Sequence, residues 1–148
     1  MNKLKLLIAD DHEVVRSGLK VLLADTDVEI VAEVGTGEEA VKYAMENDPD
    51  VVLLDIRMPK GDGLTALGRI KLEKPDMPVL MLSTFDNPTY IARSVALGAS
   101  GYLLKGCTRE QLLNAIRMAA SGESAWTRDE LRRVTGALAT PRLAADVE

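Results

Sequence analysis

Residues 51–59 have the sequence Val51-Val52-Leu53-Leu54-Asp55-Ile56-Arg57-Met58-Pro59. Four consecutive branched apolar residues are typical of a strand that is buried on both faces, as strands inside parallel sheets are. Pro59 cannot continue the strand, because proline has no backbone N–H to donate to a neighbouring strand. The segment therefore predicts a central strand with one carboxylate, Asp55, where the strand leaves the core. Taken alone, Asp55 is explained equally well as a turn residue.

Short apolar segments alternate with amphipathic segments as far as about Gly122. This alternation predicts repeated strand–helix units around a parallel sheet. Five strands are predicted, at residues 4–9, 28–34, 51–54, 79–82 and 101–104. Each is followed by a segment whose apolar residues recur at helical spacing. The chain is therefore predicted to contain a five-stranded α/β domain over residues 1–122.

Capping signals mark where several of the helices begin. Asn87 is a favourable N-cap and is followed by Pro88, which suits the first helical position. Two other pairs have the capping-box spacing, in which a hydroxyl and a longer polar side chain satisfy each other's backbone N–H groups. These pairs are Thr36 with Glu39, and Thr108 with Gln111.

Residues 123–148 differ in character from the rest of the chain. Thr127 and Glu130 again have capping-box spacing, and they predict an arginine-rich helix that ends near Ala139. The remaining residues, 141–148, are small and polar. We interpret residues 123–148 as a linker helix and tail that lead to an output domain outside this sequence.

Composition limits the classes of function. The chain has 148 residues, 47% of them apolar, which is sufficient for a single core. Its formal net charge of −5 argues against a surface built to coat nucleic acid. One cysteine, Cys107, suits a reducing compartment, and no apolar segment reaches membrane-spanning length. We therefore expect a soluble, cytoplasmic protein with no membrane partner.

Polar residues stand where four of the five predicted strands end. In an open parallel sheet, ligands bind beyond the carboxyl ends of the strands, at the point where the strand order reverses. With the order 2-1-3-4-5, three carboxylates would converge there beside a hydroxyl and an ammonium group. Each residue alone could equally be a cap, a turn or a solvated strand end, but their coincidence favours a single site. The residues are Asp10, Asp11, Asp55, Ser83, Thr84 and Lys105.

Three carboxylates in contact repel one another unless a cation lies among them. With oxygen ligands and no nearby cysteine, Mg²⁺ fits best, and Mn²⁺ could replace it. A phosphoryl group could then lie between the metal and Lys105, with the Ser83 hydroxyl as a further hydrogen-bond partner. The pattern predicts reversible phosphorylation of a carboxylate.

Four motifs resemble those of the receiver domain of two-component response regulators, in the same order and over residues 3–122. The sequence of residues 98–105 looks most like the NarL/FixJ (LuxR-type) class, in which a helix-turn-helix DNA-binding domain usually follows the receiver. The resemblance implies a flavodoxin-like, doubly wound parallel sheet of order 2-1-3-4-5 with five surrounding helices. The motifs are Leu7-Ile8-Ala9-Asp10-Asp11-His12, Leu54-Asp55-Ile56-Arg57-Met58-Pro59, Met81-Leu82-Ser83-Thr84 and Gly98-Ala99-Ser100-Gly101-Tyr102-Leu103-Leu104-Lys105.

The resemblance also implies roles for individual residues. Asp55 would accept a phosphoryl group from the phosphohistidine of a sensor histidine kinase. The metal would be bound by Asp10, Asp11, Asp55 and the backbone carbonyl of Arg57, and Lys105 would pair with a phosphoryl oxygen. Slow self-phosphorylation and autodephosphorylation are the only reactions that it implies, so the chain is not expected to be an enzyme.

The implied switch involves Ser83 and Tyr102. Ser83 would move to bind the phosphoryl group, and Tyr102 would change rotamer in response. Homodimerisation would follow phosphorylation, and DNA would be contacted only through a C-terminal helix-turn-helix domain that this chain does not include.

The chain departs from the receiver pattern at several positions near the site. Gly106 replaces a common proline after the lysine, so a cis peptide is not expected there. Thr84 is larger than the alanine often found after the switch hydroxyl, and it could narrow the access of water. We hypothesise that Arg57 and Phe85 slow hydrolysis of the phosphorylated aspartate by occupying the route of attack.

Two other functions are compatible with parts of this pattern. A stand-alone receiver, acting in a phosphorelay or as a protein-binding switch, keeps the same fold, but the arginine-rich C-terminal helix favours a multidomain regulator. An aspartate-nucleophile phosphohydrolase of the haloacid-dehalogenase type also uses carboxylates, Lys and Mg²⁺. Enzymes of that type carry a D-x-D motif after the first strand, however. This chain has Asp10-Asp11-His12 at that position and no cap insertion.

Overall fold

The computed structural model describes residues 3–60, 62–84 and 86–132. Strands and helices alternate along the chain, as the sequence predicts. The strands are β1 (Leu4–Ala9), β2 (Val28–Val34), β3 (Val51–Asp55), β4 (Val79–Ser83) and β5 (Gly101–Leu104). The helices are α1 (Glu13–Leu23), α2 (Gly37–Glu46), α3 (Gly63–Glu73), α4 (Pro88–Ala96) and α5 (Arg109–Ala120). A short helical segment at residues 128–132 follows α5.

All five strands are parallel, and their order is β2-β1-β3-β4-β5. The predicted doubly wound sheet and its strand order are therefore confirmed. β3 and β4 each extend one residue further than predicted, because Asp55 pairs with Leu82 and the ladder continues to the Ile56 N–H, which donates to the Leu82 carbonyl at 3.2 Å. Asp55 and Ser83 are thus the last residues of their strands.

The two faces of the sheet carry separate apolar clusters. Alternate β3 residues point to opposite faces, so Leu54 packs beneath α2, α3 and α4, whereas Leu53 packs beneath α1 and α5. Both leucines have no solvent exposure. Burial of each such side chain favours folding by about 1.5–3 kcal/mol. The apolar segment of β3 therefore contributes to both cores.

The predicted helix starts are confirmed by their hydrogen bonds. The Thr36 hydroxyl accepts from the Glu39 N–H, and Thr108 forms a complete capping box with Gln111. The Asn87 side chain accepts from two N–H groups in the first turn of α4. Capping residues therefore determine where α2, α4 and α5 begin.

Residues 123–127, which we call the C-terminal strap, run back over the start of β5. The Ala125 N–H donates to the Ser100 carbonyl at 2.7 Å, and Trp126 Nε1 donates to the Ala99 carbonyl at 3.2 Å. Thr127 and Glu130 form the predicted capping box. The predicted extension of this helix to Ala139 lies outside the described residues.

Within the residues that the structure describes, no helix combines the length and apolar character needed to cross a membrane.

Candidate functional site

The register of the sheet brings the ends of β1, β3 and β4 together. Ala9 pairs with Leu54, which places Asp10 beside Asp55, and Asp55 in turn pairs with Leu82, next to Ser83. Asp10 is fully buried, and Asp55 and Ser83 are 4% and 1% exposed. Buried carboxylates are unusual unless they are paired or bind a cation.

Lys105 is the cation of this site. Its Nζ atom lies 2.9 Å from Oδ2 of Asp10 and 3.1 Å from Oδ2 of Asp55. The Lys105 backbone N–H donates to the Ser83 carbonyl at 2.7 Å, which fixes the start of the side chain at the end of β4. Among the described residues, a single ammonium group, that of Lys105, therefore forms ion pairs with both buried carboxylates.

One oxygen of Asp10 is not fully satisfied by this arrangement. Oδ2 is in ionic contact with Lys105, but it makes no aligned hydrogen bond with any described residue. A buried carboxylate oxygen without an aligned donor suits a metal ion, which needs no such alignment. The donor set is therefore suited to a hard divalent cation.

Two more residues complete an acidic cluster. Asp10, Asp11, His12 and Asp55 each place a ligand atom within 4.8 Å of the others. The Asp11 side chain is 31% exposed, so the cluster opens to solvent on its side. Nδ1 of His12 lies 3.1 Å from Oδ1 of Asp11, and the His12 N–H donates to Oδ1 of Asp10 at 2.8 Å. His12 is the N-cap of α1, and its side chain is exposed.

Burial and repulsion change how the two central groups titrate. Burial, reinforced by the nearby Asp10 carboxylate, raises the pKa of Asp55, although Lys105 and the Arg57 N–H partly oppose this. Burial lowers the pKa of Lys105, but the two carboxylates outweigh burial, and the net pKa is raised. Lys105 is therefore held as an ammonium ion, whereas Asp55 is an acid that is costly to ionise.

Ser83 and Tyr102 are in direct contact. Their side chains are hydrogen-bonded, and Tyr102 is only 5% exposed, packed in the same cluster as Ile91 and Ala99. Burial raises the pKa of the Tyr102 hydroxyl. Thr84, the residue after Ser83, is exposed.

The side chain of Arg57 contacts Tyr90 of helix α4. Its Nη2 donates to the Tyr90 hydroxyl at 2.9 Å, and its guanidinium carbon lies 6.0 Å from the centre of the Tyr90 ring. Its backbone N–H donates to the Asp55 carboxylate. Metal binding by the Arg57 carbonyl stays a prediction, and Phe85 lies outside the described residues.

Gly63 supports the site in a way that the sequence interpretation missed. A Cβ atom at Gly63 would lie 2.0 Å from the Asp55 carbonyl oxygen, and the Gly63 N–H donates to the Ile56 carbonyl at 2.7 Å. Glycine is therefore required where α3 begins, because the helix touches the backbone of β3. A glycine at a first helical position is the sequence signal that could have indicated this contact.

Gly106 has a φ of +96°, which favours glycine, and no cis peptide occurs among the described residues. The sequence expectation for this position is confirmed.

Arg16, which the sequence interpretation also missed, donates from its guanidinium to the carbonyl of Asp10. It connects α1 to the first strand end.

Comparison with known proteins identifies the family of this chain. The model of the response regulator receiver domain matches residues 6–117. The transcriptional regulatory protein DegU of Brevibacillus brevis is 40% identical over 82% of this chain and 52% of its own length. The oxygen regulatory protein NreC of Staphylococcus epidermidis is 42% identical over 82% of this chain and 56% of its own length. The chain thus spans about half the length of the curated relatives that it matches.

Solved structures agree. The signal receiver domain of the putative response regulator NarL from Mycobacterium tuberculosis is 31% identical, has a TM-score of 0.79, and covers 83% of this chain and 100% of its own. The cluster of Asp10, Asp11 and Asp55 is typical of the Mg²⁺ site of receiver domains. This chain belongs to the response regulator receiver domain family, among relatives of the NarL/DegU/LuxR type.

Proposed function

We propose that this chain accepts a phosphoryl group on Asp55 from a sensor histidine kinase and passes the signal to an attached output domain. The observation that supports this most directly is the contact of one ammonium, Lys105, with both Asp55 and the buried Asp10. An anion that binds at Asp55 meets a cation already in place, which is the main requirement of phosphoryl transfer.

In this proposal a carboxylate oxygen of Asp55 attacks the phosphorus of a phosphohistidine. A P–O bond forms as the P–N bond breaks, and the electron pair of the broken bond stays on the imidazole nitrogen. Lys105 pairs with a phosphoryl oxygen, and the exposed Thr84 limits the approach of water. The burial of Asp55 keeps competing solvent away.

Asp10, Asp11, Asp55 and the backbone carbonyl of Arg57 would hold Mg²⁺, or Mn²⁺ in its place. When bound, the metal would neutralise charge on the carboxylates and the phosphoryl oxygens. The Oδ2 atom of Asp10, which lacks an aligned hydrogen bond among the described residues, supports this assignment.

Switching would begin at the hydrogen bond between Ser83 and Tyr102. If Ser83 turns to the phosphoryl group, Tyr102 loses a partner in a buried setting, and its preferred rotamer changes. Trp126 of the C-terminal strap packs on the same cluster as Tyr102, so the change would reach residues that lead out of the domain.

We infer that residues 1–122 are the receiver and that residues 123–148 link it to an output domain. Because the relatives include transcriptional regulatory proteins, we propose control of transcription, with phosphorylation favouring a homodimer. DNA would be bound only by a helix-turn-helix domain beyond this chain, and the protein would act in the cytoplasm. Beyond slow self-phosphorylation and autodephosphorylation, no enzymatic turnover is proposed.

The test is to incubate the chain with acetyl phosphate and Mg²⁺ and to follow intact mass. We expect the addition of one phosphoryl group, loss of this addition in Asp55→Asn, and normal addition in Asp76→Asn, which removes an exposed carboxylate from the α3–β4 turn. Steady phosphate release that survives Asp55→Asn would instead indicate a phosphohydrolase.

A further inference from the structure

Helices α3 and α4 leave a solvent-open groove of about 340 Å³ between them, on a different part of the surface from the phosphorylation site. Its apolar part is formed by Gly68 and Leu72 of α3 and by Leu97 at the end of α4. Leu72 is 79% exposed and Leu97 is 37% exposed. Leu72 thus projects from the helix without covering any part of the core.

Gly68 makes the groove accessible. A Cβ atom at this position would be 3.7 Å from Cδ2 of Leu97, at ordinary van der Waals distance. The glycine is therefore not required by packing or by a positive φ. Its effect is to leave a shallow gap beside Leu97 with room for about one methyl group, because a Cβ atom there would already be in van der Waals contact with Leu97.

Two arginines border the groove, Arg69 on α3 and Arg93 on α4. Both are exposed, and neither guanidinium group makes a hydrogen bond or an ion pair with another described residue. Several other arginines are engaged within the fold: Arg117, for example, forms a bidentate pair with Asp27. The groove therefore combines exposed leucines with two guanidinium groups whose donors are available to carboxylates.

We propose that this groove binds an acidic amphipathic helix of a partner protein. A helix that lies in a groove between two others presents apolar residues at positions i and i+3 or i+4, and these would contact the exposed surfaces of Leu72 and Leu97, with a methyl group in the shallow gap at Gly68. Glutamates or aspartates on the flanks of that helix would pair with Arg69 and Arg93. The proposal goes beyond the phosphorylation chemistry and does not depend on it.

The probe is a fluorescein-labelled 16-residue helical peptide of Leu, Ala and Glu, with leucines at i, i+4 spacing and glutamates on both flanks. Binding is followed by fluorescence anisotropy at low salt. We expect saturable binding, weakened about tenfold by Leu72→Ala and more by Arg69→Glu with Arg93→Glu. A peptide with lysines in place of the glutamates should not bind.

Matched controls separate the groove from the rest of the surface. Val21→Ala removes a 77%-exposed apolar residue on α1, and Lys42→Glu reverses an exposed charge on α2. Both should bind the glutamate peptide as the unaltered chain does. All substituted residues are exposed, so folding is preserved, and far-UV circular dichroism checks this.

Absence of saturable binding would overturn the proposal, as would equal effects of the groove and control variants. Sedimentation equilibrium of the chain alone provides a second measurement. If the chain self-associates and Leu72→Ala abolishes the association while Val21→Ala does not, the occupant is a second copy and the partner-helix proposal is wrong.

Discussion

Gly63 lies against the backbone of Asp55 so closely that a Cβ atom would be 2.0 Å from the Asp55 carbonyl oxygen. No real Cβ contact is that short, so either β3 or the start of α3 would have to move. The position of the proposed phosphoacceptor thus depends on a residue eight places further along the chain, which carries no functional group.

Gly63→Ala is therefore expected to lower the free energy of unfolding by about 1–3 kcal/mol and to slow phosphorylation by acetyl phosphate. Gly68→Ala is the matched control on the same helix, where the added methyl group meets only Leu97 at 3.7 Å. That control should be neutral or stabilising by about 0.5–1 kcal/mol. Urea denaturation of both variants checks this, and equal losses would show that the close approach is relieved without cost.

Asp55→Asn is expected to stabilise the fold at neutral pH. The pKa of Asp55 is raised in the folded chain above its ordinary value of 3.8, because burial and Asp10 disfavour the ionised form. The unfolded chain ionises near pH 3.8, whereas the folded chain ionises only at the raised pKa. The free energy of unfolding therefore falls as pH rises from 3.8 through the raised pKa. Asparagine removes that cost.

The gain from Asp55→Asn should shrink as pH falls from the raised pKa through 3.8, because well below 3.8 the carboxyl is protonated in both the folded and the unfolded chain. Denaturant titrations across this pH range provide the measurement, without Mg²⁺. A variant less stable than the unaltered chain at pH 7 would contradict the assigned direction of the shift.

Lys105→Met should destabilise the fold by about 3 kcal/mol at pH 7, because it leaves two buried carboxylates without their cation. The pKa of Lys105 is raised in the fold, so its contribution is fully present below its ordinary value of 10.5 and is lost only as pH rises through the higher folded value.

Under the proposed metal assignment, Mg²⁺ should restore more stability to Lys105→Met than it adds to the unaltered chain. Lys42→Met, at an exposed position, is the control and should change little. Thermal or urea denaturation with and without Mg²⁺ distinguishes these cases. If the two lysine variants were equally stable, the ion pairs at the strand ends would contribute nothing measurable.

Arg57→Ala is expected to shorten the lifetime of the phosphorylated state about tenfold, equivalent to about 1.4 kcal/mol in the barrier, if the guanidinium obstructs water. Tyr90→Phe removes the hydrogen bond that holds Arg57 at 2.9 Å but keeps the ring beneath it, so its effect should be smaller. Loss of the phosphoryl group is followed by intact mass after the donor is removed. An unchanged lifetime in both variants would remove Arg57 from the explanation of phosphate lifetime.

The sequence predicts the sheet and its helix boundaries well because those signals are local. Runs such as Val51–Leu54 and caps such as Asn87 and Thr108 act within a few residues of themselves. The convergence of Asp10, Asp55 and Lys105 also follows once the strand order is known, since parallel strands end on one edge.

The contacts that were not predicted depend on how the helices and loops pack against the sheet. The bond from Arg57 to Tyr90 spans 33 positions, and it depends on how α4 is placed over the sheet. The burial of Tyr102 depends on the packing of α4 and the C-terminal strap together. The approach of Gly63 to Asp55 depends on the angle at which the chain leaves β3, which no periodicity encodes.

The C-terminal strap also affects whether the outer strand β5 can pair with a strand of another molecule. β5 is an outer strand of the sheet, and outer strands offer hydrogen-bonding groups to any extended chain that approaches them. The Ala125 N–H occupies the Ser100 carbonyl at the start of β5, and Trp126 covers the adjacent backbone. A shorter chain that ended at Gly122 would leave this margin uncovered and would be more prone to aggregation through strand pairing. Trp126 thus joins the core and also occupies a backbone carbonyl beside this outer strand.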